Sequence, residues 1–99
     1  MLKSVIFIIP LLFMPSEAFR VMTFNVWFGG SQVFDGVQKI VNHIKLVNPD
    51  VVALQELKSI KDCYEPIMSE LGSSWSGTMK EDGTAVITRH KIVDGSILK

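Results

Sequence analysis

The sequence predicts an α/β fold: a β-α-β unit followed by a short helix and a β-hairpin. Three observations carry that reading. Two apolar, strand-like runs, Phe19 to Phe28 and Val51 to Leu57, flank a stretch whose apolar residues recur at helical spacing. Asn48-Pro49 closes that stretch, because proline cannot continue a helix. Further on, Asp82-Gly83 separates two short β-prone runs, which is a hairpin signal.

The elements follow in order. Met1-Leu2-Lys3 is a short basic start, and Val5 to Met14 is apolar apart from Pro10. Pro15-Ser16-Glu17-Ala18 places small residues one and three positions before a cut after Ala18, so residues 1–18 read as a secretory signal peptide. The alternative is an uncleaved anchor or a buried N-terminal strand. The run between Lys3 and Glu17 is shorter than the roughly 20 apolar residues of a transmembrane helix. The expectation is therefore a secreted, extracellular protein with no transmembrane segment.

Phe19 to Phe28 is aromatic and β-branched, and Gly29-Gly30-Ser31 is a turn with Ser31 as helix N-cap. Val33, Val37, Ile40, Val41, Ile44 and Val47 form one helical stripe, with Asp35, Gln38, Lys39, Asn42 and Lys45 towards water. Val51 to Leu57 is nearly continuous in apolar residues, the pattern of a strand buried on both faces. Ile60, Tyr64, Ile67, Met68 and Leu71 make a second stripe; Pro66 confines its helix to Glu65 to Leu71, ending at Gly72. Trp75 to Met79 and Thr84 to Thr88 are the hairpin strands, and His90 to Lys99 is a connecting segment.

Composition excludes some function classes. The chain has ten basic and ten acidic residues, and loses one of each with residues 1–18. It has no basic run, so it is not a nucleic-acid binder that works by charge alone. Cys63 is the single cysteine, so no internal disulfide forms, and it reads as a packed thiol rather than a nucleophile. The 81 residues after Ala18 form at most one domain, and 47% of the chain is hydrophobic, which fits a piece of a larger globular domain. A sheet covered on one face only leaves the other in water, which predicts poor solubility or self-association through it.

A right-handed β-α-β crossover makes its two strands parallel, so their C-terminal ends emerge on one sheet edge. Asn25 and Glu56 lie near those ends and would project into one crevice. Glu56 offers the hard anionic oxygen that Mg²⁺ prefers, and Asn25 a neutral amide beside it. Structural alternatives exist for each: Glu56 paired with Lys58, and Asn25 forming a turn before Gly29-Gly30. His43 reads as a solvated rim residue, and His90 falls in a variable stretch; neither sits where a general base is required.

Three segments in order resemble the endonuclease/exonuclease/phosphatase superfamily, the DNase I-like phosphoesterases. Thr23-Phe24-Asn25-Val26-Trp27 is similar to its first motif and Asp50 to Glu56 to its second. Thr84-Ala85-Val86-Ile87-Thr88-Arg89 resembles a later strand, and the likeness runs to about Asp94. The resemblance implies the N-terminal part of a DNase I-like α/β sandwich, with residues 19–99 a truncated domain. It implies Glu56 as the principal metal ligand, with Asn25 helping to arrange the site. The cofactor would be Mg²⁺, with Mn²⁺ or Ca²⁺ as alternatives. The activity implied is phosphodiester or phosphomonoester hydrolysis, nuclease-like or sphingomyelinase-like, on nucleic acid, phospholipid or a small phosphate ester. The family's later His and Asp motifs are not in this sequence, so no catalytic residue is assigned. A non-catalytic remnant of the same fold, acting as a binding or interaction module, is the second reading.

Overall fold

The computed structural model describes residues 3–11 and 14–93. Parts of the expected signal peptide (Met1, Leu2, Leu12 and Phe13) and the end of the expected connecting segment, Asp94 to Lys99, lie outside the described residues. The elements are β1 (Lys3–Leu11), β2 (Met14–Asn25), α1 (Gly36–Val47), β3 (Val51–Gln55), α2 (Glu65–Leu71), β4 (Ser76–Met79) and β5 (Ala85–Thr88). A 3₁₀ turn covers Phe28–Gly30, and a π-helical turn, Ile60–Tyr64, leads into α2.

The sheet order is β1-β2-β3-β5-β4. Strands β2 and β3 are parallel, with Val21 opposite Val51 and Asn25 opposite Gln55, which is the crossover the β-α-β pattern requires. Strand β5 runs antiparallel to both β3 and β4, and β1 antiparallel to β2. Residues within 1–18, expected as a signal peptide, thus form β1 and the first part of β2.

Both helices cover the same face of the sheet. Met22, Phe24, Val52, Leu54 and Ile87 are buried beneath Ile40, Val41 and Ile44 of α1 and Ile67 and Leu71 of α2, in one core. Truncating a buried Ile or Leu to Ala costs roughly 2–5 kcal/mol, so these side chains are what fix the helices on the sheet. Strand β3 alternates between half-buried and buried residues rather than being buried throughout. Its apolar run reflects β propensity, while the face carrying Val51 and Ala53 has no covering layer among the described residues.

Three boundaries near the Asn25–Glu56 edge differ from the sequence expectation. Strand β2 ends at Asn25 instead of Phe28, because Trp27 and Phe28 take left-handed backbone (φ 45° and 57°). Helix α1 starts at Gly36, not after Ser31: a Cβ on Gly36 would sit 1.9 Å from the Gly30 carbonyl oxygen, and that close approach folds residues 31–35 into a loop. Ser31 therefore does not cap the helix; Asp35 precedes it. Strand β3 stops before Glu56, which is left-handed at φ 59°. Helix α2 keeps the bounds that Pro66 and Gly72 impose.

Candidate functional site at the C-terminal edge of the parallel strands

Asn25 and Glu56 meet where β2 and β3 end. The Asn25 side-chain amide donates a hydrogen bond to Glu56 Oε2, and Asn25 Oδ1 accepts the Trp27 N–H at 3.0 Å. Asn25 therefore forms its turn and orients the carboxylate at once. No ion pair joins Glu56 to Lys58 among the described residues.

The backbone around this pair is held from both sides. Val26 N–H donates to the Gln55 carbonyl (3.0 Å), Gly29 N–H to the Glu56 carbonyl (2.6 Å), and Leu57 N–H to the Gly83 carbonyl of the hairpin (2.9 Å). Of the six non-glycine residues with positive φ among the described residues, four surround the site: Trp27, Phe28, Glu56 and Lys58. Residues in sparsely populated backbone regions persist only where the surroundings over-determine them, and they cluster at functional sites. Gly29 is indispensable here: at φ 69°, an added Cβ would lie 2.5 Å from the Leu57 carbonyl oxygen. Beneath it the buried Cys63 thiol donates to the Gly29 carbonyl at 3.3 Å, and burial pushes its pKa up to about 11. Cys63 is packed, as its sequence context indicates.

Glu56 is exposed and its carboxylate faces the edge, so one hard oxygen ligand is free for a divalent cation. Mg²⁺ takes one or two carboxylates and completes its shell with water and phosphate, so the donor set fits. Among the described residues no group of three or more His, Cys, Asp and Glu side chains gathers at one point.

The histidines are elsewhere. The His43 ring, expected at a solvated rim, packs 5.0 Å from Phe24 on the helix-covered side. His90 lies at the opposite end of the sheet, in a cluster that sequence reasoning missed. Buried Asp50 accepts Arg20 N–H (2.7 Å), Arg89 Nη2 (2.9 Å) and shares a 2.6 Å bond with His90 Nε2. Arg89 Nε adds a bond to the Pro49 carbonyl, and Phe19 stacks on His90. Burial alone would raise the Asp50 pKa, but the Arg20 N–H, His90 and Arg89 together hold it below the ordinary 3.8. Asp50 and Arg89 stand at the start of one strand and the end of its antiparallel neighbour; pairing the hairpin against the Asp50 strand would have revealed them. This cluster ties strand ends together and is remote from Glu56.

The chain is 40% identical over 86 residues to the uncharacterized protein F14F9.5 of Caenorhabditis elegans, covering 84% of this chain and 27% of that protein. It thus spans about a quarter of that relative's length. No solved structure matches it significantly. Residues 22–98, which include Asn25, Glu56, Asp50, Arg89 and His90, match the model of the Endonuclease/Exonuclease/phosphatase family. Edge-on carboxylate, oriented amide, sheet topology and that match agree: the chain belongs to the endonuclease/exonuclease/phosphatase family.

Proposed function

We propose that this chain contributes the first metal ligand of a secreted, divalent-metal-dependent phosphoesterase. The observation that carries the reading is the Asn25 amide bonded to the Glu56 carboxylate at the shared edge of two parallel strands. Members of the family generally depend on a divalent metal, and the family acts on phosphoesters. When bound, such a metal polarises a phosphoryl oxygen and stabilises the leaving oxygen. Glu56 supplies an anionic oxygen to it. Asn25 fixes the carboxylate's orientation through Nδ2, and its own position is set by the Trp27 N–H. Mg²⁺ suits this sparse oxygen-donor set, with Mn²⁺ and Ca²⁺ as the alternatives.

The test uses Mn²⁺ as a paramagnetic probe of the 99-residue chain, read by amide NMR, beside a phosphodiester turnover assay on the same protein. Broadening centred on Glu56 and Asn25, lost in Glu56→Ala, is the expected result. Broadening centred elsewhere, or indifferent to Glu56→Ala, overturns the site. The second reading, a binding module without turnover, is favoured by one observation: among the described residues no third ligand joins Glu56, and His90 is engaged by Asp50 at the far end. Metal binding without turnover would select it.

Export belongs to the same proposal and is supported by the basic start, apolar core and small residues before Ala18. Secreted material should begin at Phe19, removing β1 and leaving β2 as an edge strand. N-terminal sequencing of exported protein checks this, and an intact Met1 there contradicts it. Self-association is proposed through the sheet face that carries the exposed Val86.

A further inference from the structure

Glu56 owes its backbone conformation in part to a hairpin far downstream in the sequence. The peptide group that follows Glu56 is held at both ends by glycines of two different loops. Its carbonyl accepts the Gly29 N–H at 2.6 Å, and its N–H, that of Leu57, donates to the Gly83 carbonyl at 2.9 Å. The peptide group before Glu56 is held by the Val26 N–H, which donates to the Gln55 carbonyl at 3.0 Å. With both flanking planes fixed, the two soft dihedrals of Glu56 are determined, and the residue sits at φ 59°. The direction in which its side chain leaves the backbone is set with them.

The hairpin tip is built to present that carbonyl. Strands β4 and β5 pair as far as Met79 and Ala85, and Ala85 also lies opposite Leu54 of β3. The tip therefore continues past the end of the β3 ladder, to the level of Glu56. Asp82 Oδ1 accepts both the Thr84 N–H (3.0 Å) and the Thr84 hydroxyl (2.6 Å), which closes an Asx turn. Thr84 thereby holds the Asp82 carboxyl below its ordinary 3.8, so the acceptor is ionised at neutral pH. Gly83 N–H donates to the Lys80 carbonyl (3.1 Å) and Lys80 N–H to the Thr84 carbonyl (2.8 Å). Gly83 is buried at φ 91°, a backbone that the turn requires and that side chains disfavour. All these bonds lie inside the turn, so it is closed on itself before it meets Glu56.

We infer that Asp82, Gly83 and Thr84 form a positioning element for the Glu56 carboxylate, acting through the Leu57 N–H. The inference rests on the phosphoesterase reading for the metal that Glu56 would bind, and adds to it the residues that aim the ligand. Asp82 and Thr84 act at one remove. They hold the turn, the turn holds the Gly83 carbonyl, and the carbonyl holds the peptide plane beside the Glu56 side chain. The carboxylate then stands where the Asn25 amide donates to it. Sheet pairing does not call for this contact, because β5 is already bonded to β3 and β4 before the tip is reached.

The experiment is amide NMR of the 99-residue chain without metal, followed by Mn²⁺ titration of the same samples. Asp82→Ala removes the acceptor that closes the turn, whereas Asp82→Asn keeps an oxygen there and removes only the charge. In Asp82→Ala the Leu57 N–H should exchange about fivefold faster, the effect of one net hydrogen bond. The Asn25 side-chain amide resonances should leave their parent positions in the same variant. Both readouts should stay at the parent's values in Asp82→Asn. Mn²⁺ affinity at Glu56 should fall about tenfold in Asp82→Ala, the lower end for a group that orients a metal ligand, and be restored in Asp82→Asn. Asp82 is exposed, so the urea midpoint should barely move, and the Val52 N–H within β3 should keep its exchange rate. Thr84→Val deletes one of the two bonds to Asp82 and should move the same signals the same way; it replaces Asp82→Ala if that variant does not fold. Unchanged Leu57 and Asn25 signals in Asp82→Ala, or equal losses in Asp82→Asn, would overturn the proposal. So would Glu81→Gln weakening Mn²⁺ as much as Asp82→Ala, since charge alone would then be felt. Mn²⁺ that never reaches Glu56 in the parent overturns the metal site instead, and the two metal-free readouts then decide the positioning role.

Discussion

Asp50 shows how one buried carboxylate can organise residues far apart in sequence. Its oxygens take a backbone N–H from β2 and side chains 39 and 40 positions downstream. A buried carboxylate is tolerable only with such partners, because an unpaired one would be expensively desolvated. Its folded pKa lies below 3.8, so the ionised form is bound preferentially by the native state. The sign follows: this contribution is complete above the unfolded value and is lost as pH falls through the lower folded value. Asp50→Asn should lower stability at pH 7 by about 1–2 kcal/mol, a figure kept small because Arg89 and His90 are well exposed. Urea denaturation of both proteins should show the gap shrinking below about pH 4 and closing further down. A gap that persists undiminished at pH 2 would mean that the amide disturbs packing rather than charge.

The loop between β2 and α1 is governed by two glycines in contact. Gly30 and Gly36 approach so closely that a methyl group on Gly36 cannot fit against the Gly30 carbonyl. Gly36→Ala should therefore destabilise the protein by about 3 kcal/mol or more, the upper range for overpacking. A urea midpoint close to the parent's would show that the loop relaxes instead. The same contact explains why the start of α1 was not legible in the sequence. Ser31 has N-cap chemistry, but the chain at residues 31–35 answers to a contact six residues apart. Helix α2 was legible to the residue, because Pro66 and Gly72 act locally.

For the whole molecule, hydrophobic periodicity was enough for the parallel β2–β3 pair, and that pair alone brings Asn25 to Glu56. The meeting of the site's two residues was legible because topology, not side-chain detail, decides it. Strand ends were not legible: Trp27, Phe28 and Glu56 carry no turn propensity, and tertiary hydrogen bonds impose their left-handed backbone. The Asp50 cluster escaped for a related reason, since each partner looks like an ordinary surface charge until the hairpin is paired. Among the described residues the uncovered sheet face also follows from the layer logic: α1 and α2 lie on one side, and Val86 stays in solvent on the other.

The thiol beneath Gly29 bears on where such a chain can survive. Cys63 is 3% exposed, and with a pKa of about 11 roughly one molecule in ten thousand carries a thiolate at pH 7. Oxidants and disulfides react with the thiolate, and only where they can reach it. Folding alone therefore shields this sulfhydryl from oxidising chemistry. The turn that carries Trp27 and Phe28 is its lid, so oxidative damage at Cys63 would report that this turn had opened.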